Sequence, residues 1–378
     1  MPDGITSSLA SAPEQHSTGE IGNKDDAENG SNDASVRNAQ KAFMYTSWPS
    51  KPRSEWTRAQ RFIAFLDVLP NFPGKKAAPI KKKDDPVPVW TFWQQHAHTL
   101  PWAVAPVLMH WSYMKFTGAT LHPIAAYVLY TAAYNGLSVW STQKVNKFAM
   151  KYGFLDGNAP RDGVPDDKDW HILSEVLKVV LLRPLIGLFL IYDRNELPSV
   201  TWLVPVKLFL WSITLDFWFY WYHRAMHEVP ALWKYHKTHH MTKHPSSLLS
   251  AFADTEQEIF DAYIVPFLTY LVMLNLGPLS VTYAEAFICI QYVITAESGG
   301  HSGARIYASS PCNSIILRPL GMELDLEDHD LHHRHGWKHY GGNYGKQTRL
   351  WDVIFGTSKP RIETVDKNID WSWKVSLP

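Results

Sequence analysis

Apolar residues gather in six long runs along this chain, at 100–116, 119–140, 172–192, 200–222, 259–276 and 279–296. A helix that crosses a bilayer needs about 20 such residues, so each run predicts a membrane helix. The third is interrupted by Lys178, Arg183 and Pro184, which suits a helix at the interface or packed on the others. Asn275, Gly277 and Pro278 break the chain between the last two runs, predicting a helical hairpin that returns to the side it left. The first forty or so residues are rich in Ser, Asn, Asp, Glu and Gly, a composition that stays disordered. Residues 45–88 carry several Pro and Lys around one amphipathic stretch, 55–69, expected as part of a solvated arm. Trp56, Phe62, Phe65 and Leu66 on this basic background make a membrane-surface helix the alternative. The pattern predicts an all-α fold, a polytopic membrane helical domain (99–358) with a cytosolic histidine-cluster cap. A disordered tail (1–44) and a basic, partly helical arm (45–98) precede it, and a tail (359–378) follows.

Composition sharpens this picture. The chain has 17 Trp, 17 Tyr and 17 Phe, many at the ends of apolar runs, where amphipathic rings favour a lipid–water boundary. Lys plus Arg and Asp plus Glu both total 36, and no basic stripe is interleaved with aromatics, which excludes the nucleic-acid-binding class. Cys289 and Cys312 are the only cysteines, too few for a disulfide framework or a thiolate metal site. No basic segment precedes an apolar one at the start, so membrane targeting is expected to rest on the first span. Basic residues follow the fourth run (Arg224, Lys234, Lys237, Lys243) and the sixth (Arg305, Arg318, Arg334, Lys338, Lys346, Arg349), predicting that both stretches face the cytosol.

Where the fourth run ends, histidines begin. His223 and His227 are followed by His236, His239 and His240, and His329, His332 and His333 lie about ninety residues further on. Residues three or four apart project from one helical face, so each cluster aims its imidazoles at a common point. The hairpin delivers His301 to the same side. These nine imidazoles exceed the four ligands of a tetrahedral ion and suit a pair of ions. Imidazole serves iron, zinc, copper and nickel alike, so ligand type leaves the metal open.

Neighbouring residues have expected roles too. Asp216 and Tyr220 share a helical face with His223 and His227, and Asp216 is expected to accept the outer ring N–H of a ligand histidine. Glu323, Asp325, Glu327, Asp328 and Asp330 crowd the third cluster and are expected to be mostly solvated. Of the acids flanking the hairpin, Glu256, Glu258 and Glu297, only Glu258 is expected to support the site. His16, His96, His98, His110, His122 and His171 stand alone and read as core or surface histidines. His244, His335 and His339 fall outside the ligand spacing. The zincin motif fails after His227-Glu228, and no Glu-x-x-His pair occurs, which removes the carboxylate-bridged di-iron bundle.

In this order the clusters H-x-x-x-H, H-x-x-H-H and H-x-x-H-H resemble the membrane fatty acid hydroxylase and sterol desaturase superfamily. The resemblance covers roughly residues 211–357. It includes Asp216, Tyr220, the approach Leu232-Trp233-Lys234-Tyr235-His236-Lys237, Asn343-Tyr344-Gly345, Leu350-Trp351-Asp352 and Phe355-Gly356-Thr357. It implies a non-haem di-iron site held by His223, His227, His236, His239, His240, His301, His329, His332 and His333. It also implies O2 activation with electrons from NAD(P)H through cytochrome b5 and its reductase, in a multi-pass protein of the endoplasmic reticulum whose metal site faces the cytosol. The implied reaction is hydroxylation or desaturation of a lipid-like substrate: a sterol, a terpenoid or a fatty acyl chain. Removing hydrogen from an unactivated C–H bond needs an oxidant that no side chain supplies.

The chain departs from the family pattern at Ala253-Asp254-Thr255-Glu256-Gln257-Glu258, where many relatives have a His-Pro pair before an acid, so their substrate preference does not carry over. Neither His122-Pro123 nor His244-Pro245 continues into two glycines, so no cytochrome b5 haem segment is fused and the electron donor is expected to be separate. The rival readings are an O2-independent hydrolase or isomerase on the same scaffold and a metal transporter with a histidine-rich loop. A transporter's ligands belong near the bilayer midplane, on broken helices.

Overall fold

The computed structural model describes Lys41 and residues 43–70, 72–335 and 341–376. The tail expected at 1–44 falls almost wholly outside these residues, as do His16 and His339. Phe43–Pro378 forms one compact unit, so the arm expected at 45–98 and the tail expected at 359–378 belong to the same body as the helices.

Helix α1 (Arg58–Phe65) starts at a capping box between Thr57 and Gln60. The segment around it is not a solvated arm. Trp48, Trp56 and Ile63 are buried in one apolar cluster with Val164, Ile172, Leu249 and Phe252. Asp166 fastens the entry by accepting the Ser47 and Trp48 backbone N–H groups at 2.7 and 3.0 Å.

Strand β1 (Val87–Val89) pairs in parallel with β2 (Ile369–Lys374). This small sheet departs from the all-α expectation and draws the C-terminal segment onto the body. The pairing spans most of the chain, which no local pattern announces.

Four long helices follow β1. They are α2 (Phe92–Thr117), α3 (Pro123–Tyr152), α4 (Asp169–Ile191) and α5 (Val204–Glu228). Gly118, at φ 68°, ends α2 in the left-handed conformation that glycine adopts without strain. A side chain at Gly136 would place its Cβ 2.1 Å from the Trp102 ring, so α2 and α3 can approach this closely only with glycine there. The short α6 (Pro230–His236) leads to α7 (Thr255–Leu274), which contains a π-helical stretch at Ile259–Ile264. After the turn at Gly277, α8 (Tyr283–Gly300) runs back through the middle of the molecule against α2, α3, α4 and α5. It is buried along nearly its whole length because it is covered on every side.

Polar contacts fix the register of α8 against α5. Thr282 and Glu285 form a capping box, and the Glu285 carboxylate also takes the Lys207 ammonium at 2.6 Å and the Thr201 hydroxyl at 2.6 Å. With their starts tied together, the two helices end side by side, at His223 and His227 on α5 and at His301 just past α8. The short α9 (Ser314–Leu317) precedes α10 (Leu326–His335), which carries the third histidine cluster, and α11 (Leu350–Ile354) packs on α5.

All six apolar runs fall largely within helices. Among the described residues, Thr255–Leu274 is the one helix long and apolar enough to cross a membrane by length and composition. The others carry polar side chains along their length, such as His98 and His110 in α2, Arg183 in α4, and Lys207 and Asp216 in α5.

Candidate metal centre

Histidines from α5, from α6 and the turn after it, from the end of α8 and from α10 meet at one end of the helices. His223, His227, His236, His240 and His332 form one group, and His239, His301, His329 and His333 form another. Within each group the candidate donor nitrogens all lie within 4.8 Å of one another, and all nine rings are buried. The groups adjoin, with His240 and His333 stacked at 4.9 Å between ring centroids. Eight of these are the residues named from the spacing, and the ninth is His301, expected from the hairpin. His244 and His335 belong to neither group.

The isolated histidines are used locally. His98 bonds Ser141 at 2.8 Å, His110 bonds Tyr130 at 3.0 Å, and His171 donates to the Ala253 carbonyl at 3.0 Å. His122 accepts the Ile124 N–H as a helix cap at 3.2 Å, and His96 bonds the Tyr292 hydroxyl.

Outer hydrogen bonds set the tautomers. The Nδ1–H groups of His223, His332 and His333 donate to the carbonyls of Tyr344, Gly342 and Thr242 at 2.8, 2.8 and 3.0 Å. Those of His239 and His301 donate to the carbonyls of Phe252 and Glu297, both at 3.2 Å. A carbonyl only accepts, so each of these rings carries its proton on Nδ1 and a lone pair on Nε2. His236 is held the same way, Nδ1 to the Gln257 side-chain oxygen at 2.8 Å.

These lone pairs face one another. Nε2 of His223 lies 3.0 Å from Nε2 of His236, which lies 3.0 Å from Nε2 of His240, itself 3.1 Å from Nε2 of His332. In the other group, Nε2 of His301 is 2.9 Å from Nε2 of His329. No hydrogen can sit between two imidazole lone pairs such as those of His223 and His236. A shared cation resolves the repulsion. Two nitrogens about 2.1 Å from one ion lie about 3.0 Å apart at a right angle and about 3.4 Å apart at the tetrahedral angle. The observed separations match the right angle, which suits ions with more than four ligands. His227, with neither ring nitrogen hydrogen-bonded among the described residues, and Nε2 of His333 supply further buried donors.

Burial, reinforced in most cases by neighbouring imidazoles, keeps the rings neutral, the form that binds metal. It lowers His236 to about 3 and His301 and His332 to about 4. It holds His223, His227, His239, His240, His329 and His333 well below the ordinary value.

Several expected supporting roles fall differently. Among the described residues, Asp216 accepts no ring N–H. It takes the Lys346 and Gln347 backbone N–H groups at 2.7 and 2.8 Å and the Thr348 hydroxyl at 2.6 Å, fixing the loop that presents the Tyr344 carbonyl. Tyr220 bonds Thr357 at 3.1 Å and Arg224 at 3.0 Å rather than a histidine. Glu258 makes no hydrogen bond to the nine rings, whereas its neighbour Gln257 holds His236.

The acids around the third cluster are buried, not solvated. Asp330 ion-pairs with Arg161 at 2.6 Å and Arg334 at 2.7 Å, and Asp328 with Arg361 at 2.7 Å. Glu327 accepts the Ile362, Glu363 and Thr364 backbone N–H groups at 3.0, 2.8 and 2.6 Å. They anchor α10 to distant segments and leave its histidines facing inward.

The fatty acid hydroxylase family profile matches residues 208–357, the stretch that holds all nine histidines. A fatty acid hydroxylase of Lecanicillium sp is 37% identical over 320 residues, which cover 79% of this chain and 86% of that one. The chain belongs to the fatty acid hydroxylase family. A methylsterol monooxygenase of Aspergillus fumigatus is 27% identical over 221 residues, 55% of this chain and 67% of that one. The alkylglycerol monooxygenase of Homo sapiens is 26% identical over 177 residues, 46% of this chain and 36% of that one. These relatives are oxidoreductases, and they support lipid oxygenation as the general chemistry of the family. No solved structure matches the chain.

Proposed function

We propose that this protein is a membrane di-iron oxygenase that hydroxylates or desaturates a sterol, terpenoid or fatty acyl substrate with O2. The observation that carries this reading is the meeting of nine neutral imidazoles in two adjoining groups, with the lone pairs of His223 and His236 3.0 Å apart. His223, His227, His236, His240 and His332 would hold one iron, and His239, His301, His329 and His333 the other. Bound there, the iron pair would supply the oxidant for C–H cleavage.

The chain's own residues do the rest. Carbonyls of Tyr344, Gly342, Thr242, Phe252 and Glu297 orient the rings and raise their basicity. Burial of the groups keeps bulk water from the reacting carbon. Electrons are proposed to come from NAD(P)H through a separate cytochrome b5 and its reductase.

The membrane assignment has its own support. Phe116, Phe189 and Trp202 are 82%, 87% and 86% exposed, and Leu108, Met109 and Ile124 are exposed as well. Exposed apolar surface of this kind favours lipid contact. Thr255–Leu274 adds one helix of spanning length. We place the protein in the endoplasmic reticulum, with the histidine end in the cytosol. Comparing lipid extracts of cells with and without the protein by mass spectrometry tests the reaction. A gain of one oxygen or a loss of two hydrogens in one lipid, dependent on O2, is expected; unchanged lipids would overturn it.

A further inference from the structure

A cavity of about 280 Å³ lies between α3, α4, α8 and the 3₁₀ turn Ser247–Ala251. Val139, Val176, Val180 and Ile294 make most of its wall apolar, and Phe62 of α1 stands partly exposed at its edge. One end is polar. Glu258, Arg183 and Glu297 line it together with Ser298. That end adjoins the second histidine group, because the Glu297 carbonyl accepts the His301 ring N–H at 3.2 Å.

The charges at this end are unevenly satisfied. The Lys346 ammonium takes Asp261 at 2.9 Å and Glu297 at 3.0 Å. Arg183 reaches Tyr134 and the carbonyls of Asp261 and Ala262 only at 3.4 Å, and Glu297 only at 3.5 Å. Such lengths are at the limit of a hydrogen bond. Glu258, only 5% exposed, makes no side-chain hydrogen bond among the described residues. A buried carboxyl without a partner is costly. Two acids, Asp261 and Glu297, already balance the two bases, Arg183 and Lys346, so Glu258 is left without a counter-ion.

We infer that this cavity is the substrate chamber and that Glu258 and Arg183 anchor a neutral, hydroxyl-bearing head group, selecting lipid alcohols over free carboxylic acids. A hydroxyl donates to Glu258 and accepts from Arg183, completing both. A carboxylate would add an unbalanced negative charge where Asp261 and Glu297 already balance Arg183 and Lys346. A bare hydrocarbon would leave both groups unsatisfied. The inference names the substrate class for the oxygenase reading above and rests on it.

The test is equilibrium binding of radiolabelled dodecanol, dodecanoic acid and dodecane to the iron-loaded protein in lipid nanodiscs. Wild type is expected to hold dodecanol about tenfold more tightly than dodecanoic acid, the effect of one hydrogen bond to a charged group. Glu258→Leu should lose about tenfold for dodecanol and nothing for dodecane, while Glu258→Gln, which can still hydrogen-bond, keeps most of the preference. Iron content reports whether each variant folds, and a diazirine-bearing dodecanol should label the peptides holding Val139 and Val180. Tighter binding of the acid, indifference to both substitutions at full iron content, or labelling elsewhere overturns the inference. O2-dependent product formation is measured separately. If it persists without the alcohol preference, only the chamber assignment falls; if alcohols bind and no lipid is oxidised, the oxygenase reading falls.

Discussion

Asp216 and His223 lie seven residues apart on one face of α5 and do not touch; a loop from the far end of the chain joins them. The Asp216 carboxylate accepts three hydrogen bonds from Lys346, Gln347 and Thr348, and the loop so fixed offers the Tyr344 carbonyl to the His223 Nδ1–H. Gly345 completes the fit, since a Cβ there would lie 2.1 Å from the Thr348 carbonyl and 3.2 Å from Asp216.

Asp216→Ala should therefore loosen this loop and lower iron affinity by about 10- to 100-fold, the usual cost of losing the support behind a metal ligand. Asp216→Asn, which keeps one acceptor oxygen, should fall between. Iron retention during graded chelation measures both. Equal retention in all three proteins would show that the loop does not govern His223.

Arg161 ties α10 to the body. It pairs with Asp330 at 2.6 Å, where both side chains are buried, and donates to the Leu155 and Gly303 carbonyls at 2.7 and 3.2 Å. Removing one member of a buried pair costs about 3–5 kcal/mol because the other charge is stranded. Arg161→Met should show that loss in denaturant unfolding. An unchanged midpoint would mean that Asp330 is satisfied by Arg334 alone.

Acid should release the N-terminal segment before the helices. Burial pushes the Asp166 carboxyl up, but the Ser47 hydroxyl and the Ser47 and Trp48 N–H groups outweigh it and hold the group at about 2. Its folded pKa lies below the ordinary value of about 3.9, so its contribution to stability is present above that pH and is lost as pH falls toward 2. Limited proteolysis within residues 43–56 should rise over that interval in the wild type. Asp166→Asn should be cleaved there already at neutral pH. Cleavage unaffected by pH or by the substitution would remove Asp166 as the fastener.

The histidines themselves were legible, and the hairpin break at Gly277 gave the reason for His301 to return, but one aim per cluster held only for His223 and His227: the second cluster runs past the end of α6 into a 3₁₀ turn, and the second and third clusters each divide between the two groups. What orients the rings was not legible. Five of the six outer partners are backbone carbonyls, which leave no residue signature, and the sixth is Gln257, one position from the acid singled out in the sequence. Only Asn343-Tyr344-Gly345, noted through the family resemblance, pointed toward any of them. The acids of α10 read as surface because the arginines that bury them, Arg161 and Arg361, are distant in sequence. The arm and the tail were misjudged for the same reason, since Asp166 and β1 reach them across long separations. Arg183, read as an interruption of an apolar run, proves to line the cavity beside the site.

The central claim is that these nine imidazoles hold two irons. Metal analysis with Mössbauer spectroscopy on the protein purified from iron-enriched cells tests it most directly, with His301→Ala and His335→Ala alongside. The account predicts two nitrogen-rich irons per chain in wild type and His335→Ala, and close to one in His301→Ala. Protein that holds zinc alone, holds no metal, or keeps both irons without His301 would contradict it.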